Sequence, residues 1–289
     1  MKLSSLILLS VKNFLFERMF LGSLIFVGLG LYNEYGISLR GLEKAKKAQK
    51  VYVELYTNPM PALSLENLEK LIGKPVVELK REDVEEKPEK SILEDAKKMD
   101  VVFLVPGDPM IATTHISLRL EAQKAGIETE VLNGVSIYSA APSTIGLQIY
   151  KFGKTVTIPF PTSTYKPQTP YDVIKENMER GLHTLVLLDV DVEKKRWMTI
   201  REGLEYLLKI EAERREEVVT SKKLVIGLGG IGSPNPMVKG DSVERLVKYE
   251  FNVFPQTLIF PGKLHFMEVE TLKVFAGVPE EVLQSHEHG

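Results

Sequence analysis

From residue 24 onward, short apolar runs alternate with segments whose apolar residues recur at helical spacing. In the first half of the chain the apolar runs predict strands at 24–28, 50–56, 75–79, 101–105 and 128–132. The helical spacing predicts helices at 38–48, 63–72, 91–99 and 115–125. Ser38 is placed to cap the first helix, and Gly73 and Gly126 are placed to end the second and the last. This alternation is typical of βαβ units and a mainly parallel sheet.

The pattern changes near residue 134, where a stretch rich in small residues covers 136–146. Beyond it, apolar runs predict strands at 155–160, 183–190, 223–228 and 256–260, and helical spacing predicts helices at 171–180 and 200–217. We therefore expect two α/β domains: an N-terminal domain over 21–133 and a C-terminal domain over 134–289.

Residues 1–20 precede this pattern and contain an apolar run from Leu3 to Val11 with a lysine on each side. The run is too short to cross a bilayer, and no small-residue cleavage site follows it. We expect a disordered extension, or an over-long gene start with Met19 as the true initiator. A membrane-surface anchor is the alternative.

The composition removes several classes of function. The chain has 289 residues with 37 Lys and Arg against 39 Asp and Glu, and this balance argues against a general nucleic-acid-binding protein. It has no cysteine, which excludes disulfides, thiolate zinc sites and cysteine nucleophiles. Its five histidines are scattered without the spacing of metal ligands, so no metal site is expected.

The segment after the predicted strand at 101–105 is the strongest candidate for a binding loop. It reads Pro106-Gly107-Asp108-Pro109, and the two prolines fix φ on either side of the Gly-Asp pair, which makes the loop stiff. In open α/β sheets ligands bind at the carboxyl ends of the strands, where this loop lies. Asp108 has two interpretations: a turn cap that bonds its own backbone, or a contact to a ligand.

Other motifs are weaker. Gly28 and Gly30 follow the first strand, but the dinucleotide-binding fingerprint needs a third glycine where this chain has Asn33. The glycine-rich run at 229–232 lacks the Lys-Ser/Thr pair of a phosphate-binding P-loop, which disfavours nucleoside triphosphate hydrolysis. His115 fits packing and hydrogen bonding better than the role of general base, which stays the alternative.

Several segments together resemble the diphthine synthase family. They are 26–38, the 106–109 loop with Ala112-Thr113-Thr114-His115, 136–139, 149–154, 171–177, 181–185 and 261–265. The resemblance runs from about residue 24 to about residue 282, and the compactness of the chain is that of the archaeal members. It implies the tetrapyrrole-methylase-like fold of the wider group: two α/β domains with S-adenosylmethionine in the cleft between them.

The resemblance also implies a reaction. A member would be a cytoplasmic S-adenosylmethionine-dependent N-methyltransferase of diphthamide biosynthesis, a homodimer in relatives, acting on translation elongation factor 2. It would repeatedly methylate the amino group of a histidine that carries a 3-amino-3-carboxypropyl group. Sulfonium is a good leaving group, so positioning matters more than acid catalysis, and the sequence identifies no catalytic residue.

Two alternatives stay open. One is a methyltransferase of the same fold that acts on a corrin or tetrapyrrole precursor. The other, from a different class, is a non-catalytic nucleotide-binding regulatory module. Neither a nucleic acid nor a membrane is expected as a partner.

The family's cofactor-binding positions carry over to a defined set of residues in this sequence. They are Leu31, Asp108, Ile111, Ser136, Ile137, Leu188, Gly229 and Gln256. Apolar residues appear among them because many of these contacts would run through the backbone. At the last position the family is expected to have histidine, and this chain departs from it with glutamine.

Overall fold

The computed structural model describes residues 22–58, 60–191 and 194–288. They form two compact units, and the division falls between Ser136 and Ile137. The sequence analysis placed the domain boundary a few residues earlier, near residue 134. The predicted extension over residues 1–20 lies outside the described part of the chain.

The first unit is built around a five-stranded sheet. Its strands are β1 (Ser23–Gly28), β2 (Lys50–Glu54), β3 (Val77–Leu79), β4 (Val101–Val105) and β5 (Glu128–Leu132). They lie side by side in the order β3-β2-β4-β1-β5, and every neighbouring pair is parallel. All five residues of β4 are buried, as expected for a parallel strand covered on both faces of the sheet. The predicted parallel sheet is confirmed for this unit.

Helices cover both faces of the first sheet. They are α1 (Leu39–Lys47), α2 (Leu65–Ile72), α3 (Ile92–Ala96) and α4 (His115–Lys124). The side chain of Ser38 caps α1 by accepting a hydrogen bond of 3.1 Å from the N–H of Gly41. Gly73 ends α2 in the left-handed conformation, with φ of 81°. Both features agree with the sequence prediction.

The connections of β1 and β4 diverge. Residues of α1 and α2 pack on one face of the first sheet, and residues of α3 and α4 pack on the other. Because α1 follows β1 and α4 follows β4, the chain leaves these two neighbouring strands toward opposite faces. Such a switch point, at the carboxyl ends of the strands, is where open α/β sheets bind ligands.

The second unit contains a five-stranded sheet of mixed direction and a two-stranded one. The strands are β6 (Val156–Ile158), β7 (Thr184–Leu188), β8 (Val190–Asp191), β9 (Arg196–Trp197), β10 (Leu224–Gly229), β11 (Met237–Ser242) and β12 (Gln256–Phe260). The larger sheet has the order β11-β10-β12-β7-β6, in which the β6–β7 pair is parallel and the other pairs are antiparallel. The sequence pattern did not predict β11, a half-polar strand at the edge of this sheet.

The helices of the second unit are α5 (Ile137–Ile145), α6 (Thr169–Glu179), α7 (Ile200–Arg214), α8 (Val243–Leu246), α9 (Phe266–Phe275) and α10 (Glu280–His288). Apolar residues of α6 and α7, including Tyr171 and Leu204, pack with the second sheet in one core. α7 was predicted to run to residue 217. It ends earlier because the Glu211 carboxylate accepts hydrogen bonds from the N–H groups of residues 217–219.

The sequence pattern did not predict four helices of the second unit: α5, α8, α9 and α10. α5 contains Pro142 together with Ser139, Ser143 and Thr144, which are weaker helix formers than alanine or leucine. Within the described residues, no helix has the length and apolar character needed to span a bilayer.

Candidate functional site

The loops that follow β1, β4 and β5 converge at the carboxyl edge of the first sheet. The N–H of Leu29 donates to the carbonyl of Val105 at 2.8 Å. Gly30 and Gly107 then exchange two backbone hydrogen bonds, of 3.2 and 2.7 Å. Both glycines have positive φ, 73° and 68°, which L side chains rarely adopt. The loop after β1 is therefore bonded directly to the Pro106–Pro109 loop. Gly30, a residue of the incomplete dinucleotide motif, makes this contact.

Glycines let these loops approach each other backbone to backbone. A Cβ atom on Gly28 would lie 2.5 Å from the carbonyl oxygen of Gly107, and a Cβ atom on Gly134 would lie 2.2 Å from the same oxygen. Gly107 itself is buried, yet a Cβ atom there would meet only the Val135 carbonyl oxygen, at 3.9 Å. The loop thus combines a tightly packed side with a side that has room for a ligand.

Asp108 is buried between two neighbouring loops, with 4% of its surface exposed. Its Oδ1 accepts a hydrogen bond of 2.9 Å from the N–H of Met110, and its Oδ2 accepts one of 2.9 Å from the Asn133 side-chain amide. The turn-cap interpretation is confirmed by the first bond. A contact from Asp108 to a ligand stays a prediction.

The other predicted site residues of the first unit lie on the same set of loops. Leu31 directly follows Gly30 and is half-buried. Ile111 follows the Pro106–Pro109 loop with 37% of its surface exposed, and Ser136 follows β5 with 7% exposed. The fold therefore brings Leu31, Asp108, Ile111 and Ser136 to one edge of the first sheet.

Two buried titratable groups lie at the same edge. Glu54 ends β2, and its carboxylate accepts hydrogen bonds of 3.0 Å from the N–H groups of Tyr56 and Thr57. Burial raises the pKa of Glu54 to about 7, against the hydrogen bonds from Thr57, which act to lower it. Sequence reasoning missed this residue; its one signal was an acidic side chain inside a predicted strand that is otherwise mostly apolar.

His115 is fully buried at the start of α4. Its Nδ1 lies 3.2 Å from the carbonyl oxygen of Pro109. Burial lowers the pKa of His115 to about 4, and the hydrogen bond to Pro109 opposes that effect only in part. The ring is therefore neutral at neutral pH. This confirms the interpretation of His115 as a packing and hydrogen-bonding residue.

Three predicted residues of the second unit meet at one end of its larger sheet. Leu188 ends β7, Gln256 begins β12 and Gly229 ends β10. Gly229 pairs directly with Gln256, and the next residue of β12 pairs with the next-to-last residue of β7. The remaining predicted residue, Ile137, is the first residue of α5 and is half-buried.

The Gln256 side chain is committed to the fold of the second unit. Its Oε1 accepts a hydrogen bond of 2.9 Å from the N–H of Ile200. Its Nε2 donates to the carbonyl oxygens of Phe251 and Val253, at 2.9 and 3.1 Å. The amide oxygen therefore holds the start of α7, and both amide hydrogens hold the loop before β12. The cofactor contact predicted at Gln256 stays a prediction. A contact from this side chain would compete with the hydrogen bonds to Ile200, Phe251 and Val253.

Leu188 and Gly229 offer backbone rather than side-chain chemistry. The Leu188 side chain is part of the core of the second unit, with 7% of its surface exposed. Gly229 begins a loop in which Gly230 has φ of 61° and donates from its N–H to the Pro255 carbonyl at 2.8 Å. Any ligand contact at these positions would run through peptide groups, as the sequence analysis expected.

A second buried charge cluster lies in the second unit around Glu268. Its carboxylate accepts hydrogen bonds from the N–H groups of Gln148 and His265, at 3.0 and 2.8 Å. It also accepts from the Nε2 of His183 at 3.0 Å and from the Lys151 ammonium. Desolvation acts to raise the pKa of Glu268, but these bonds outweigh it and lower the pKa to about 2. The cluster joins separate segments of the unit and is structural.

No group of three or more His, Asp or Glu side chains that could hold a metal ion occurs within residues 22–58, 60–191 and 194–288. The loops at the edge of the first sheet offer peptide groups, glycines, the Asp108 carboxylate and the predicted residues Leu31, Ile111 and Ser136. Such a surface suits an organic ligand that is recognised by shape and backbone hydrogen bonds.

Comparison with known proteins defines the class. A model of the family described as Tetrapyrrole (Corrin/Porphyrin) Methylases matches residues 23–223, which include the loops at the edge of the first sheet. Proteins of this class are S-adenosylmethionine-dependent methyltransferases.

Individual relatives narrow the class. Diphthine synthase of Methanocaldococcus jannaschii is 47% identical over 252 residues, which are 86% of this chain and 97% of the relative. Diphthine synthase of Methanococcus maripaludis strain C6 is 46% identical over 250 residues, with the same coverage. A crystal structure of diphthine synthase has a TM-score of 0.82 and 39% identity, covering 91% of this chain and 99% of that one. The chain therefore belongs to the tetrapyrrole methylase family and, within it, to the diphthine synthases.

The residues at the edge of the first sheet fit the cofactor of this family. S-Adenosylmethionine is an organic molecule, and a glycine with an open side lets such a ligand lie close to the backbone. Gly107 has such an open side, and its positive φ excludes most other residues there. The predicted residues on the same loops are the ones that would hold the cofactor.

Proposed function

We propose that this chain methylates the amino group of the 3-amino-3-carboxypropyl-modified histidine of translation elongation factor 2, repeatedly, in diphthamide biosynthesis. The single observation that supports this most is the 46–47% identity to diphthine synthases over 97% of their length. That similarity covers both units and extends well beyond the 23–223 span shared with the methylases in general.

The chain would work mainly by positioning. S-Adenosylmethionine, when bound, supplies the methyl group, and the acceptor amine must be neutral and in line with the S–CH3 bond. Orientation of two reactants in this way is worth up to roughly 7–11 kcal/mol of the barrier. The Gly30–Gly107 bridge and the Asp108–Asn133 hydrogen bond fix the loop before a ligand arrives.

Acid–base chemistry by the buried groups near this loop has no support in the geometry. Glu54 and His115 are both 0% exposed, so neither can touch a protein substrate. Solvent can accept the proton of the acceptor amine, because a primary ammonium group exchanges its protons with water. The proposal therefore assigns no general base to this chain.

The setting of the reaction is also part of the proposal. The protein substrate, elongation factor 2, acts in translation, so we place this chain in the cytoplasm. The family resemblance supports a homodimer, whose formation can be checked by analytical ultracentrifugation of the full chain.

One assay tests the proposed function. The full chain is incubated with methyl-labelled S-adenosylmethionine and elongation factor 2 that carries the 3-amino-3-carboxypropyl group. We expect label on the factor and more than one added methyl group by intact mass, and no label on factor that lacks the group. Label on a corrin precursor instead would favour the small-molecule methyltransferase, and binding of the cofactor without transfer to either acceptor would favour a regulatory module.

A further inference from the structure

The Pro109 carbonyl, at the end of the Pro106–Pro109 loop, is held by Thr113, which precedes α4, and by His115, the first residue of α4. The Thr113 hydroxyl donates to its oxygen at 2.8 Å, and the Nδ1 of His115 lies 3.2 Å from the same oxygen. Because a carbonyl oxygen can only accept, the Nδ1 of His115 must carry the hydrogen. The loop is thus tied at Asp108 on one side and at Pro109 on the other.

The neighbours of His115 fix its ring. The Phe103 ring packs edge-on against it, with centroids 5.1 Å apart. The Nε2 faces the Tyr56 hydroxyl at 3.5 Å and the Glu54 carboxylate at 3.9 Å. A ring packed in this way can hold its Nδ1–H in one direction only, toward the loop.

The charged groups around the ring leave it neutral. Glu85 has a Coulombic effect that favours a charged imidazole, and Arg81 acts on Glu54 and Tyr56 beside it. Burial outweighs these effects, as the low pKa of His115 shows. With its hydrogen on Nδ1, the neutral ring donates to Pro109 and can only accept at Nε2.

A purely space-filling role would not need an imidazole. Burial of an imidazole costs free energy when its N–H group has no hydrogen-bond partner, and burial of a leucine side chain carries no such cost. The donor is used on one of the loops that the proposed function assigns to the cofactor. We infer that His115 is a positioning residue for methyl transfer, which holds the Pro106–Pro109 loop in its cofactor-binding shape through the Pro109 carbonyl. This inference rests on the proposed function.

Two substitutions distinguish the Nδ1–H donor of His115 from the space that its ring fills. His115→Asn keeps an amide N–H close to the position of Nδ1, and His115→Leu fills much of the volume without a donor. We expect the dissociation constant for S-adenosylhomocysteine, measured by calorimetry on the full chain, to rise about three- to tenfold in His115→Leu, as for loss of one hydrogen bond. In His115→Asn it should stay within about twofold of wild type.

Matched variants distinguish positioning from general damage. Tyr52→Phe removes a buried hydroxyl that bonds Asp95, in the same unit but away from the loop, and should lower Tm without a change in ligand affinity. Thr113→Val removes the second donor to Pro109 and should weaken binding in the same direction as His115→Leu. It also keeps the inference testable if His115→Leu does not fold.

The outcomes distinguish a failure of the positioning role from a failure of the proposed function. If wild type binds the ligand and His115→Leu and Thr113→Val bind it equally well, the positioning role is overturned and the proposed function stands. Equal weakening of binding in His115→Asn and His115→Leu would likewise contradict the role of the Nδ1 donor. Failure of wild type itself to bind the ligand would instead refute the proposed function.

Discussion

The side-chain amide of Asn133 donates a hydrogen bond of 2.9 Å to Oδ2 of Asp108 and so ties the loop after β5 to the loop after β4. These strands are not neighbours, because β1 lies between them. The bond therefore spans the carboxyl end of β1, where the glycine loop of Gly28 and Gly30 begins. The Asp108 carboxylate therefore fixes the loop after β4 relative to the loop after β5, and both loops carry predicted cofactor-binding residues.

Asp108→Ala should weaken cofactor binding while the fold survives. The substitution removes the cap on Met110 and leaves the Asn133 amide without its acceptor, so both loops lose their connection. We expect the dissociation constant for S-adenosylmethionine to rise about tenfold or more, since the lost bonds involve a charged group. Calorimetry gives the affinity and far-UV circular dichroism the fold.

Asp83→Ala is the control for this substitution. Asp83 also caps a backbone N–H, that of Lys80 at 3.0 Å, but in a segment away from the glycine loops. It should leave cofactor affinity unchanged. Unchanged affinity in Asp108→Ala as well would reduce Asp108 to a turn cap.

Gly107→Ala should harm cofactor binding more than stability. A left-handed conformation costs an L residue roughly 1–2 kcal/mol, and the new methyl group would enter the open side of the loop where a ligand is expected. Gly73→Ala is a matched control, because Gly73 has φ of 81° and a Cβ atom there would meet no atom within 4 Å.

Both glycine variants should therefore lose similar free energy of unfolding in urea, and only Gly107→Ala should lose affinity. Equal affinities in the two variants would show that the open side of Gly107 does not face the ligand.

The sequence predicted the first unit well because its signals are local. β1 and β4 are continuous apolar runs, and caps such as Ser38 and Gly73 act within a few residues of the helix that they start or end. The second unit was harder. Its strand directions depend on partners far along the chain, and nothing within the predicted strand at 256–260 indicates that it runs antiparallel to both neighbours.

The candidate site shows the same division between local and distant information. The loop with Asp108 follows from two prolines and a glycine in sequence. Glu54 was missed, because only the fold places its carboxylate beside His115 and away from water. Gln256 was assigned from resemblance, and its commitment to Ile200 became visible only in the structure.

Glu54→Gln should change how stability depends on pH. The pKa of Glu54 is about 7 in the folded chain against an ordinary value of 4.5, so the folded state binds the proton more tightly. Its contribution to stability is complete below pH 4.5 and is lost as pH rises through about 7, a change of about 3 kcal/mol. Glutamine is neutral throughout and should not show this loss.

The test compares the variant with wild type at each pH. His115 titrates in an overlapping range with the opposite sign, because its pKa is lowered and its contribution is lost as pH falls from 6.5 through about 4. His115 is present in both proteins, so its effect cancels when the free energy of unfolding of wild type is subtracted from that of Glu54→Gln. Relative to wild type, the variant should be more stable at pH 8 than at pH 5. The control Glu78→Gln, at an exposed position, should show no such trend.

Glu268→Gln should have the opposite pH signature in the second unit. The pKa of Glu268 is lowered from 4.5 to about 2, so its contribution is present above pH 4.5 and is lost as pH falls through about 2. This amounts to about 3 kcal/mol at neutral pH. At neutral pH the loss of stability in Glu268→Gln should exceed this value. The amide NH2 group of glutamine is a donor, and it would face other donors, namely the Lys151 ammonium and the Gln148 N–H.

Urea unfolding at pH 7 and at pH 3 measures this difference. The gap between wild type and Glu268→Gln should narrow at pH 3, where part of the wild-type carboxylate stabilisation has been lost. Glu66→Gln removes a salt bridge to Lys70 in which both side chains are mostly exposed, so it should change stability little at either pH. A gap between wild type and Glu268→Gln that does not depend on pH would mean that the cluster acts through packing alone and that the charge of Glu268 contributes nothing to holding the segments around His183 together.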